Sequence, residues 1–153
     1  MPEQARRPTA GTVLSFDFGL QRVGVAVGEH ETGTAHPLPP LAAASQFGRF
    51  TAIARLVNEW KPALFVVGRP LGEDGAPHET TRRAERFARQ LGGRFGLPVE
   101  LVDERYSSVE AESRMRAAYG ASKAVKLARG KALDSQAAQL LLQQYFDERE
   151  AHA

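Results

Sequence analysis

At 153 residues the chain has the length of one domain with a real core, and 42% hydrophobic with 25% charged residues is the balance of a globular protein. It contains no cysteine, which excludes a disulfide framework, a thiolate metal site and a thiol nucleophile. A formal net charge of +2 is too small to name a partner, no apolar run approaches the ~18 residues of a membrane span, and the N-terminus MPEQARRPTAG lacks the apolar stretch of a signal peptide, so the cytoplasm is the expected compartment.

Residues 1–11 are polar, carry Pro2 and Pro8, and are expected to form a flexible tail. Thr12 to Asp17 and Arg22 to Gly28 read as paired antiparallel strands, the second with Val23, Val25 and Val27 at period two. Gly19 permits the turn between them, and Gly24 permits close approach of a neighbouring backbone. Thr34 to Leu41 has strand character, but Pro37, Pro39 and Pro40 confine it to an edge or a loop.

Ser45 is a suitable cap for a helix whose Phe50, Ile53, Val57 and Trp60 recur at helical spacing until Lys61-Pro62 stops it. Ala63 to Val67 is a short, continuous apolar run and predicts a strand buried on both faces. Ala84, Phe87, Ala88, Leu91 and Phe95 form the apolar stripe of a second helix, which Gly96 ends. Pro98 to Val102 predicts another strand, followed by Asp103-Glu104-Arg105. Ser107 or Ser108 can cap a third helix to about Ala118; Tyr119 to Gly130, basic and holding two glycines, reads as a mobile stretch. Leu133, Ala137, Leu140, Leu141 and Tyr145 mark a last helix, and residues 148–153 a polar tail. The expected architecture is a single α/β domain over 12–147: a mixed sheet begun by an antiparallel hairpin, continued by alternating strands and helices, and flanked by helices.

In open α/β sheets, sites lie beyond the carboxyl ends of parallel strands. Asp17 falls at the end of the first strand, Gly68-Arg69 after the central one, and Asp103-Glu104-Arg105 after the last. Asp134, in the first turn of the predicted last helix, is the fourth group. Three carboxylates brought together without cations repel, whereas Mg²⁺ or Mn²⁺ removes that difficulty through oxygen ligation. Two such ions ~3.5–4 Å apart activate a water and stabilise the leaving oxygen of a phosphodiester. Asp17, Glu104 and Asp134 therefore predict metal-assisted phosphodiester hydrolysis, as catalytic and metal-binding residues together.

Each residue alone has an ordinary explanation. Asp17 fits a turn, Asp103-Glu104-Arg105 a strand-end ion pair, and Asp134 the positive end of a helix dipole. The tripeptide also recurs as Asp147-Glu148-Arg149 in the polar tail, where a solvated helix end is the expected explanation, so its place after Pro98 to Val102 is the informative part. His30, His36, His78 and His152 show no metal-ligand spacing and read as surface or loop residues. From Arg105 to Lys131 there are seven Lys or Arg against Glu110 and Glu112, a face suited to phosphate backbones. Arg105, Lys123, Lys126, Arg129 and Lys131 are the candidate phosphate contacts, with Arg69 at the mouth of the site.

Four motifs in this order resemble the YqgF/RuvX family: Asp17-Phe-Gly-Leu-Gln-Arg-Val-Gly-Val-Ala26, Val67-Gly-Arg-Pro-Leu71 with Asp74-Gly75, Pro98-Val-Glu-Leu-Val-Asp-Glu-Arg105, and Asp134-Ser-Gln-Ala-Ala138. The resemblance covers Thr12 to Asp147. It implies an RNase H-like fold related to RuvC-type resolvases and an activity in 5′-end processing of pre-16S rRNA or in resolving Holliday junctions. By motif it implies metal-binding roles for Asp17, Glu104 and Asp134 and nucleic-acid-facing roles for Arg22 and Arg105. The implied partners are RNA precursors, branched or single-stranded DNA and ribosomal precursor particles, with a monomer or homodimer as the acting form. The chain departs from the family at Gln21, where lysine is usual, at Gly28-Glu29 in place of Ser-Asp, and at Ser107-Ser108 in place of Thr-Thr.

Two other classes share part of this pattern. Actin-like and sugar-kinase-like ATP-binding proteins begin with a similar Asp-x-Gly hairpin, but they need a second lobe that this length does not hold. A non-catalytic nucleic-acid-binding assembly factor would share the fold, yet bare carboxylates would weaken its hold on phosphates.

Overall fold

The computed structural model describes residues 8–42, 45–71, 77–104 and 123–151, with side chains in the last stretch from Ser135 to Glu150. Its strands are β1 (Thr12–Phe18), β2 (Arg22–Glu29), β3 (Thr34–Ala42), β4 (Leu64–Arg69) and β5 (Val99–Asp103). Its helices are α1 (Gln46–Trp60), α2 (Glu79–Phe95) and α3 (Lys123–Ala151). The strands form one sheet in the order β3-β2-β1-β4-β5. β1, β2 and β3 pair antiparallel, while β4 and β5 run parallel to β1.

β3 carries its three prolines at the sheet edge, where a missing N–H breaks no ladder, and its register shifts between Val23 and Val25 of β2. Ser45 caps α1 by accepting from the Gly48 amide at 3.0 Å, and Lys61, in the left-handed region at φ 46°, closes its other end. Gly96, at φ 65°, closes α2 in the same way.

The sheet separates two cores. On one face, Leu14, Phe16, Val25, Phe65 and Val67 meet Phe50 and Ile53 of α1 and Phe87 and Leu91 of α2. On the other, Val13, Ala26, Leu64, Val66 and Val102 meet Ala138, Leu141, Leu142, Tyr145 and Phe146 of α3. Period-two alternation assigns each strand residue to one face or the other. The central phenylalanines Phe16, Phe65 and Phe87 are fully buried, and each such side chain favours folding by about 1.5–3 kcal/mol.

One sequence expectation changes: residues 123–130, expected to be mobile, are the opening turns of α3, which runs through Gly130 without a break. The second Asp-Glu-Arg tripeptide, at 147–149, lies in the last turns of the same helix, which continues to Ala151. The predicted third helix, at 107–118, lies outside the described residues.

Candidate functional site

Asp17 is the next-to-last residue of β1. Gly24 of β2 stands opposite it. On its other side, β4 pairs Val67 with Phe16, so Gly68 lies next to Asp17. Val13, Val66 and Val102 point towards α3, and by alternation Asp17, Gly68 and Glu104 share that face. Asp17 thus stands at the carboxyl end of the central strand with a glycine on each neighbouring strand.

Glu104 follows β5 and extends the ladder by one bond, its amide donating to the Arg69 carbonyl at 3.1 Å. Its side chain lies over Gly68. A Cβ placed on Gly68 would fall 2.5 Å from Glu104 Oε1, 3.1 Å from its Cγ and 2.9 Å from Leu141 Cδ2. β1 and β5 are separated by the width of β4, about 10 Å between outer strands. The Glu104 carboxylate crosses part of that gap because the strand between offers no side chain.

Asp103 and Glu104 take opposite faces, and the strand-end ion pair belongs to Asp103. Asp103 Oδ1 accepts from Arg69 Nε at 2.7 Å, and Arg69 NH1 pairs with Glu85 of α2 at 3.3 Å. The hydrogen bond and then the charge of Asp103, with the Glu85 contact added, push the Arg69 guanidinium above its ordinary pKa and keep it charged. Arg69 therefore sits on the α2 face, not beside Asp17 and Glu104 as the mouth of an acid site would require. Arg22 begins β2 and is exposed; by alternation with Gly24 it belongs to the α3 face.

α3 runs against β1. Ala138 lies beside Ser15, whose hydroxyl donates to its carbonyl at 2.9 Å, while Phe146 packs near Gly28 at the far end of the hairpin. Position 134 is one helical turn before Ala138, on the stripe that continues through Ala138, Leu141 and Tyr145, and so lies towards the end of the sheet where Asp17 stands. It is not in a first turn: α3 begins at Lys123, so dipole stabilisation at a helix start does not explain an acid there. The Asp134 side chain and those of Lys123, Lys126, Arg129 and Lys131 lie outside the described side chains, and Arg105 outside the described residues.

Among the described residues no three acids or histidines form a metal-holding group. The two described acids do fit a hard divalent cation: both offer carboxylate oxygens, and they flank a glycine cradle that a Cβ would fill. A cleft of about 1080 Å³ beside β5, lined by Glu100, Asp103, Gln144 and Arg149 among others, includes neither Asp17 nor Glu104. Concavity alone does not find the acid end.

Two residues of this end escaped the sequence reading: Ser15, and Gln144, whose Nε2 donates to the Asp103 carbonyl at 3.0 Å. Ser15 and Gln144 tie α3 to both acid-bearing strands. His30, expected at the surface or in a loop, lies in the turn after β2 and is half-buried: Nε2 meets the Tyr145 hydroxyl at 2.9 Å and Nδ1 the Gly11 carbonyl at 3.1 Å.

Comparison with known proteins agrees with the geometry. The family model described as "RuvX: Holliday junction resolvase" matches residues 11–148. A protein of Nitrosospira multiformis named "Putative pre-16S rRNA nuclease" is 49% identical over 149 residues, covering 97% of this chain and 96% of that protein. One of the same name from Paraburkholderia phytofirmans is 51% identical over 136 residues, covering 89% and 88%. Among solved structures, Thermus thermophilus RuvC superposes with TM-score 0.53 at 14% identity, covering 92% of this chain and 96% of that one. The Fowlpox virus resolvase in complex with Holliday junction DNA gives 0.57 at 10%, covering 90% and 98%. At such identities the likeness is one of fold, the RNase H-like sheet and helices of the resolvases.

Proposed function

The chain belongs to the RuvX family, and from that premise we propose that it is a divalent-metal-dependent nuclease that trims the 5′ end of pre-16S rRNA. The observation that carries the reading is the Glu104 carboxylate laid across Gly68 towards Asp17 on the α3 face. In the proposal Asp17, Glu104 and Asp134 hold Mg²⁺ or Mn²⁺, two ions in the full site. A divalent ion supplies charge stabilisation at the scissile phosphate and an activated water when bound.

The chain's own residues set the geometry. β1 and β5 carry two acids at parallel strand ends, and in the proposal Asp134 of α3 joins them as the third. Arg22, on the same face, is then the residue that meets a phosphate, and the basic residues Arg105, Lys123, Lys126, Arg129 and Lys131 supply the attraction to a polyanion. Arg69, occupied by two carboxylates, steadies the end of β5 instead. The reaction belongs in the cytoplasm, where precursor RNA is found; among the described residues no helix is long and apolar enough to cross a membrane.

The family description favours a second reading, cleavage of branched DNA. One assay compares the two: metal-dependent cleavage of precursor RNA, junction DNA and single-stranded DNA by the purified chain, with Asp17→Asn as control. We expect cleavage of precursor RNA that needs the divalent ion and is lost in Asp17→Asn while binding persists. Cleavage that survives Asp17→Asn overturns the assignment, and cleavage confined to junctions selects the second reading.

A further inference from the structure

We propose that Gly68 is a positioning residue: its missing side chain is the seat that lets the Glu104 carboxylate cross β4 towards Asp17. The inference rests on the proposed metal-binding role of Glu104.

Up to this position β4 is apolar and closely packed. Leu64, Phe65, Val66 and Val67 are all fully buried, and the strand then changes to glycine at the position beside Asp17. This glycine has no role in a turn, since it lies inside β4, pairs with Val102 and is not among the positive-φ residues. What it provides is space. The nearest atom to a Cβ there is Glu104 Oε1 at 2.5 Å, with Glu104 Cγ at 3.1 Å. Glycine inside a strand weakens it, and close approach of another group is one reason to keep it.

The identity of Glu104 follows from the same geometry. From β5 a carboxylate must reach over the middle strand to come near Asp17. An aspartate is one methylene shorter and would stop above β5. The third contact, Leu141 Cδ2 at 2.9 Å, means that α3 closes the seat from above. A methyl group at 68 therefore cannot be accommodated by lifting Glu104 towards the helix; the carboxylate must swing aside. Its end is flexible, so the sheet keeps its form while the acid loses its place.

The test uses Mn²⁺ alone, by calorimetric titration, on the full chain. Supporting measurements are the thermal midpoint and the ¹³C carboxyl resonance of Glu104, assigned by its disappearance in Glu104→Gln. Gly68→Ala should remain folded, shift the Glu104 resonance and weaken Mn²⁺ binding by about 10–100-fold, as loss of orientation of a metal ligand does. In the Glu104→Gln background the same Gly68→Ala change should have no further effect on affinity, because the group it acts through is already gone. Glu104→Asp, with Gly68 kept, should lose as much affinity as Glu104→Gln, and it tests the required reach if Gly68→Ala does not fold.

Wild-type affinity and an unmoved resonance in Gly68→Ala overturn the seat, as does an equal loss in both backgrounds or wild-type affinity in Glu104→Asp. The metal reading fails separately: Mn²⁺ affinity unchanged by Glu104→Gln, with the resonance still shifted by Gly68→Ala, removes Glu104 from the ligands and leaves the seat standing.

Discussion

The hydroxyl of Ser15 donates to the carbonyl of Ala138 across 123 residues of chain, in a buried bond of 2.9 Å. It joins the first strand to the last helix and sets how far along β1 that helix sits. Everything about the height of position 134 relative to Asp17 depends on this register.

Ser15→Ala removes the donor without adding bulk to a site that is fully buried. We expect a loss of about 1 kcal/mol, read in urea denaturation as a lower midpoint at unchanged slope. No change in the midpoint would mean that the remaining contacts of α3, the Gln144 bond to Asp103 among them, hold the register without it.

Arg69→Ala separates the ion-pair role from a phosphate contact. Its pairs with Asp103 and Glu85 are about one-third exposed on the arginine side, so the stability cost should be about 0.2–1 kcal/mol. The dependence of nucleic-acid binding on salt should keep its slope. A slope reduced by about 1 would place Arg69 on a phosphate after all.

Gly28 tests a departure from the family. A Cβ there would lie 2.6 Å from the Thr34 carbonyl oxygen and 2.7 Å from Phe146 Cε2. The usual serine does not fit this chain as long as Phe146 occupies that space. Gly28→Ser should cost about 1–3 kcal/mol by overpacking, and Phe146→Leu in the same chain should recover part of it, as urea denaturation would report. Full stability in Gly28→Ser alone would show that the ring yields freely.

Much of the fold was legible where local chemistry decides structure. The hairpin, the apolar β4 and the stripes of α1 and α2 follow from periodicity, and Ser45, Lys61-Pro62 and Gly96 mark helix ends through caps and the left-handed backbone. The start of α3 was not legible. Gly130 among basic residues suggests a break, yet one glycine costs only about 1 kcal/mol against alanine, which a helix of 29 residues absorbs. Asp134 was consequently read at a helix start when it lies well inside one. The contact of His30 was not legible because Tyr145, its partner, is 115 residues away. Gly68 was visible only as the end of a strand. The signal that could have identified it is a glycine closing an apolar strand between two strands that each end in an acid.

The Ser15–Ala138 bond also has a consequence for synthesis. β1 leaves the ribosome before α3, so the hairpin carrying Asp17 waits for more than 120 residues of chain before its far neighbour exists. Contacts of such sequence separation form late and slowly. A nascent chain can shape the sheet before α3 is made, but under the proposed metal site a chain that still lacks α3 also lacks its third acid.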